Sequence, residues 1–387
     1  MIYLDHNAST PMLDEVREEV SRSWTLFGNP SGDNSSSLMA AHEVELARNR
    51  ISNLLGVNYQ DLIFTSGSTE AIAIAIYGIV LAAPVHRNEI LVSRIEHKAV
   101  LATCYAAAEL SGRKVIEIPV TRSGEIDIDF VLENVSEKTA IICCMSANNE
   151  TGVIQSTNEI LRITNNFDIP LFCDTTQSIG KDPDFKLENL RSMISVVSGH
   201  KIYGPKGSGL AVIPRSLQGK MYKVLSGGGQ ERGFRGGTLN ISGILGLAKA
   251  LEISLAASED LDLEVKKMNT NFLRALENAI QIPIHVNTKS AKTLSNTLNL
   301  RFEGVLAEEI VVNFREVVAS RASACTAGRE EPSHVLLAMG LTVREAEQSI
   351  RFSFGRGCSL DDIPLAVRDV SEAVDRVLLL NRQLRSF

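Results

Sequence analysis

Six short segments of this 387-residue chain carry side chains able to do chemistry. Four of them directly follow short apolar runs: Thr65-Ser66-Gly67-Ser68-Thr69-Glu70, Ile95-Glu96-His97-Lys98-Ala99, Cys173-Asp174-Thr175-Thr176-Gln177 and Ser198-Gly199-His200-Lys201. In the first, small residues open an apolar helix. Backbone N–H groups there can approach an anion, and the hydroxyls of Ser68 and Thr69 add donors. In the second, His97 can lie over an aromatic cofactor or exchange protons near neutral pH. Asp174, at the end of its run, can keep a protonated pyridine nitrogen charged. Lys201, set among Gly, Ser and His, can form a Schiff base with a carbonyl cofactor, with Ser198 and His200 as phosphate donors. The fifth segment, Gly227 to Thr238, holds many glycines and two arginines and reads as a loop shaped around an anion or a partner chain. The sixth places Cys325 in the small-residue stretch Ala319 to Gly328, where a thiol is accessible and free to ionise.

Each segment has an ordinary alternative. A Ser/Thr cluster caps helices, an Asp sits in turns, a Lys is solvated, a His starts a helix, and a Cys packs in a core. Their joint occurrence is far more specific than any one of them. The other five cysteines are at 104, 143, 144, 173 and 358, with no CxxC pair. That spacing argues for a reducing compartment and against structural zinc. Cys104, Cys143, Cys144 and Cys173 have small or apolar neighbours and read as core residues; Cys358 is ambiguous.

The elements that must position these groups follow a rhythm. Apolar runs at 62–64, 90–92, 115–118, 140–144, 170–173, 194–197 and 210–213 alternate with helical stretches. The pattern predicts an α/β fold, a mainly parallel seven-stranded buried sheet with helices on both faces. Such sheets bind ligands at the carboxyl ends of their strands. A helix is expected after Pro11 and another over 39–56, with Phe27 to Gly32 and the following serines as a loop. Residues 240–280 read as long helices. The remainder reads as a smaller α+β unit with strands at 298–302 and 350–353 and a closing helix over 361–385. A chain of this length favours two domains.

With 44% hydrophobic and 22% charged residues the composition is that of an ordinary globular protein. A net charge of −7 does not suit a general nucleic-acid binder. No apolar run reaches transmembrane length, and Met1 to Asp5 has no signal-peptide pattern, so a cytoplasmic protein is expected.

Taken together, the segments resemble the NifS/IscS-type cysteine desulfurases, of the class V aminotransferase family and pyridoxal-phosphate fold-type I. The similarity runs from Tyr3-Leu4-Asp5-His6-Asn7-Ala8-Ser9-Thr10-Pro11 to Ile350-Arg351-Phe352-Ser353-Phe354-Gly355-Arg356. Its most specific motifs are Ser198 to Lys201, Asn148-Asn149-Glu150-Thr151-Gly152 and Ser323-Ala324-Cys325-Thr326. The resemblance implies conversion of L-cysteine to L-alanine with sulfur held as a persulfide on Cys325. Lys201 would hold pyridoxal phosphate and move protons, and His97 would stack on its ring. Asp174 would pair with the pyridine nitrogen and Gln177 with the phenolic oxygen. Ser68, Thr69, Ser198 and His200 would hold the phosphate. Asn149 would touch cofactor or substrate, and Arg351 the substrate carboxylate. Thr238 would reach the phosphate of a second subunit, implying a homodimer. A large domain over 15–255 would bind the cofactor, and a small one of 1–14 and 256–387 would carry the cysteine loop. No resident metal is implied, only a transient iron–sulfur contact of Cys325. The acceptor would be a sulfur-acceptor or scaffold protein serving iron–sulfur cluster assembly, tRNA thiolation or, in a Dnd-type enzyme, DNA phosphorothioation, without direct contact to nucleic acid or membrane. The competing readings are another fold-type I enzyme, an aminotransferase or selenocysteine lyase, and an inactive sulfur-relay scaffold. The chain departs from the family's usual residues at His6, Asn34, Ala73, Arg321 and Ala322.

Overall fold

The computed structural model describes residues 1–321 and 331–384. Its centre is a seven-stranded sheet in the order Leu62–Thr65, Gly209–Val212, Ile194–Ser198, Leu171–Asp174, Thr139–Cys143, Glu89–Ser93, Lys114–Ile118. All pairings are parallel except those of Gly209–Val212, which runs antiparallel to both neighbours. The central strands are apolar on both faces because helices cover both, so their sequences read as unbroken hydrophobic runs. The helix Ser68–Ala82 is apolar all round for the same reason. It packs against the sheet on one side and against the helix Lys98–Ser111 on the other.

One apolar cluster on this sheet contains Leu91, Ile142, Leu171, Leu210 and Leu251, and a second, on the opposite face, contains Ile72, Ile76, Val92, Ile141 and Ile194. A third is separate. It joins Ile2 and Leu4 to Phe272, Leu300, Phe352 and Val370. The ring of Phe272 meets those of Phe352 and Phe354 edge-on, with centroids 5.1 and 5.6 Å away. This core lies against a four-stranded antiparallel sheet ordered Ser320–Arg321, Ser349–Ser353, Thr297–Phe302, Ile284–Val286. The helices Ile241–Ala256 and Ser258–Ala279 connect the two units, and Ile363–Leu384 closes the chain.

The first helix spans Asp14–Ser23 and the second Ser35–Leu55. The serines expected in a loop therefore open the second helix. Asn34 caps it: its side chain accepts the Ser37 N–H at 2.9 Å, and that is enough to start the helix four residues early. No single described helix is long and apolar enough to cross a membrane.

Candidate active site

Four of the chemistry-bearing segments leave carboxyl ends of the central sheet, as buried parallel strands require. The strand Leu62–Thr65 turns at Gly67 into the helix Ser68–Ala82, with Ser68 half-buried and Thr69 exposed. Gly67 has φ +153° and no side chain caps the helix, so its first N–H groups are left for an anion. The neighbouring strand can approach only because it starts at Gly209. A Cβ there would lie 2.6 Å from the Gly67 Cα. Ser198, buried, sits across from this turn. Next to it His200 places Nδ1 3.2 Å from Ser9 Oγ, and burial pushes its imidazole down to about 4.

Lys201 points back toward the N-terminal segment, where Nζ donates to Asn7 O at 2.7 Å and Ala8 O at 2.8 Å. Gln177 Nε2 donates to the same Asn7 carbonyl at 3.0 Å, so the amide and the amine stand side by side. Asp174 ends its strand with Oδ1 accepting the Thr176 N–H at 2.9 Å. His97 caps the helix Lys98–Ser111: Nδ1 accepts the Ala99 N–H at 3.1 Å, which fixes the ring and leaves the proton on Nε2. Burial, with Lys201 and Lys98, lowers its basicity, while Asp174 opposes this. Beneath it Glu96 is fully buried and pushed well above the usual carboxylate range by burial. Its Oε1 accepts the Met145 N–H at 2.6 Å.

Arg351 is 2% exposed, with Nη2 on Asp5 Oδ1 at 2.6 Å, Nη1 on Asn149 O at 3.0 Å, and Nε without a partner. Asn149, half-buried, lines a small cavity with His97, Glu150 and Ser333. Cys325 lies outside the described residues, but the chain on either side of 322–330 is tied to this site. Ser320 Oγ donates to Asp5 Oδ2 at 2.6 Å, Ser333 Oγ to Glu150 Oε2 at 2.5 Å, and Glu331 is 3.7 Å from Lys98. Thr238 is exposed on the glycine-rich loop.

That loop is held in a strained form, with Glu231 and Arg232 at φ +47° and +55°. Its anchor is the buried Glu231, which accepts Arg48 Nη2 at 2.5 Å and the Phe64 N–H at 2.8 Å. Arg235 adds a second tie, 2.8 Å from Glu70. Glu231→Gln leaves the buried Arg48 with only the exposed Glu45 as a counter-charge and is expected to cost about 3–5 kcal/mol. Chemical denaturation checks this, and a loss below about 1 kcal/mol would mean the pair does not hold the loop.

Residue type and spacing alone do not point to Asp5, Asn7 or Lys181. Asn7 joins the two units: its N–H donates to Ser353 Oγ at 2.9 Å and its Nδ2 to Thr297 Oγ1 at 2.8 Å in the smaller unit, while its carbonyl accepts from Gln177 and Lys201 in the larger. Position in the Tyr3–Pro11 motif was the only signal for it. His6 is 1% exposed, with Nε2 3.6 Å from Cys358 Sγ and Nδ1 without a partner. Burial lowers it to about 4. A base held neutral in the fold but free to protonate when unfolded loses stability as pH falls from its unfolded value, about 6.5, through 4. His6→Asn should therefore be more acid-resistant, by about 2 kcal/mol at pH 5 relative to its effect at pH 8. Denaturation at the two pH values tests this, and equal effects at both would contradict it.

Comparison with known proteins places the chain. Residues 2–365 match the aminotransferase class-V family, and the chain belongs to it. It is 35% identical over 391 residues to a cysteine desulfurase of Frankia sp. (strain EuIK1), covering 99% of this chain and 93% of that protein. A solved NifS-like protein superposes with a TM-score of 0.89 at 30% identity, over 97% of this chain and 99% of the other. DndA from Streptomyces lividans superposes at 0.77 with 32% identity, over 90% and 98%. Within its family the chain is thus one of the cysteine desulfurases, enzymes that depend on pyridoxal phosphate, use L-cysteine and deliver sulfur to acceptors. The residues present fit the cofactor: an uncapped helix start flanked by Ser198 for its phosphate, and an amine beside an amide donor for its neighbouring aldehyde and phenolic oxygens.

Proposed function

We propose that the site divides the desulfurase reaction among the residues as follows. The observation that carries the assignment is the convergence of Lys201 and Gln177 on one carbonyl, within a ring of Asp174, His97 and Arg351 segments. Bound pyridoxal phosphate supplies an acceptor for the electrons released at the substrate's Cα. Lys201 holds the cofactor and moves protons at the substrate carbon once displaced from it. Asp174 keeps the pyridine nitrogen protonated, Gln177 donates to the phenolic oxygen, and His97, fixed by its cap, covers the ring. Ser68, Thr69, Ser198 and His200 receive the phosphate. Arg351 offers its unpartnered Nε to the substrate carboxylate, and Asn149 borders the same space. The thiolate of Cys325 attacks the substrate sulfur. The new S–S bond forms as the Cβ–S bond breaks, the pair of electrons stays with the substrate's Cβ, and protonation of Cβ gives the methyl group of alanine.

The large domain, 15–255, carries the cofactor, and the small one, 1–14 and 256–387, carries Cys325. Exposed Thr238 on a pinned loop suits contact with a second copy, and the enzyme acts as a cytoplasmic homodimer. Its acceptor is a protein, in an iron–sulfur, tRNA-thiolation or DNA-phosphorothioation pathway. The likeness to DndA supports the last of these, with the desulfurase itself not touching DNA.

Incubation of the purified protein with L-cysteine and a reductant tests the activity. Alanine and sulfide should appear in equal amounts. Amino-group transfer to a keto acid without sulfide would favour the aminotransferase reading, and no turnover with no bound cofactor would favour the scaffold.

A further inference from the structure

Lys181 has no part in the assignments above, yet its amine is built into the site. Gly180, with φ +75°, turns the chain directly after the turn that carries Gln177. A Cβ there would lie 2.8 Å from Ser254 Cβ, so the turn is closed to larger residues. The Lys181 N–H donates to Ser178 O at 3.0 Å, which completes the turn and sends the side chain back beneath Gln177. Its Nζ lies 2.5 Å from Gln177 Oε1 and 3.4 Å from Asn7 Oδ1. Burial there, next to the cations Lys201 and Arg351, holds the amine well below the usual lysine range, and Lys181 in turn bears on His6 and His200. Burying an amine among cations is unfavourable, so a stability role explains it poorly.

An amide such as Gln177 can present either its oxygen or its nitrogen to a given neighbour. In either protonation state an N–H of Lys181 donates to Oε1. That contact holds the oxygen end, as the Asn7 carbonyl holds the nitrogen end, and the two select one orientation, with Nε2 turned toward Asn7 O and the Lys201 amine. We propose that Lys181 is a positioning residue for the cofactor: it locks the Gln177 amide so that Nε2 faces the phenolic oxygen. The proposal rests on the cofactor reading above. A fixed donor on the phenolic oxygen makes that oxygen less basic, and so makes the lysine–cofactor linkage give up its proton more readily.

The test is the visible absorption of the pyridoxal-phosphate-loaded enzyme, titrated with pH and without substrate, together with cofactor affinity measured on apoenzyme. Lys181→Met, with Lys181→Ala as a second truncation, should raise the pH midpoint of the band by about one unit and weaken cofactor binding about tenfold. Lys181→Arg, which carries only donors, should restore the midpoint. Gln177→Met should give a similar shift alone and abolish the effect of Lys181→Met in the double variant. An unshifted midpoint in both truncations, or an undiminished Lys181 effect without the Gln177 amide, would overturn the proposal. If the wild type itself gave no cofactor band, the cofactor reading would fall first and the proposal with it.

Discussion

Lys201→Ala is expected to abolish turnover of L-cysteine, by roughly 10⁴-fold or more, and to remove the visible band that marks pyridoxal phosphate joined to the protein. The size of the effect follows from the amine having two tasks. It fixes the cofactor by a covalent bond, and it returns to move a proton at the substrate carbon. The neighbouring amine of Lys181 is no replacement, because its Nζ is spent on Gln177 Oε1. The fold should survive, because Lys201 Nζ bonds to the backbone carbonyls of Asn7 and Ala8. Water can take those over. A fully active Lys201→Ala enzyme, or one that keeps the band, would dismantle the assignment.

Cys325→Ser is the counterpart. Persulfide formation and sulfide release should fall by at least roughly 10³-fold, since serine cannot form the S–S bond and is a far weaker nucleophile at neutral pH. The cofactor band and its change on adding L-cysteine should remain, because the residues that fit the cofactor lie on the central sheet's strand ends. This separates a desulfurase from an aminotransferase, which would lose nothing. Unchanged sulfide release would move the nucleophile elsewhere. Cys358 is a poor substitute: burial raises its thiol, and Sγ is engaged with Tyr3 O at 3.3 Å.

The parts of the site that were legible from residues share one cause. Asp174, Lys201, His97 and Ser68 follow apolar runs, and a buried parallel strand leaves that signature along its whole length. The strand end, and so the ligand side, can then be read directly. Asp5, Asn7 and Lys181 were not legible because their meaning is long-range. Asp5 meets Arg351 across 346 positions, and Asn7 joins Lys201 to Thr297 and Ser353 only once the two units are packed. Nothing local in Gly180-Lys181 announces an inward amine. The serines at 35–37 suggest a loop because serine has little helix preference, whereas Asn34 as a cap decides the matter. The resemblance makes Arg351 a carboxylate ligand, and two of its three nitrogens are engaged by Asp5 and Asn149.

The central claim is that substrate sulfur comes to rest on Cys325. The most direct measurement is mass spectrometry of peptides from the wild-type enzyme after brief exposure to L-cysteine and removal of the excess. The account predicts that the peptide containing Cys325 gains the mass of one sulfur atom, lost on treatment with a thiol reductant, with alanine formed in matching amount. Alanine formation with the added sulfur on Cys358, or with no cysteine carrying it, would contradict the account.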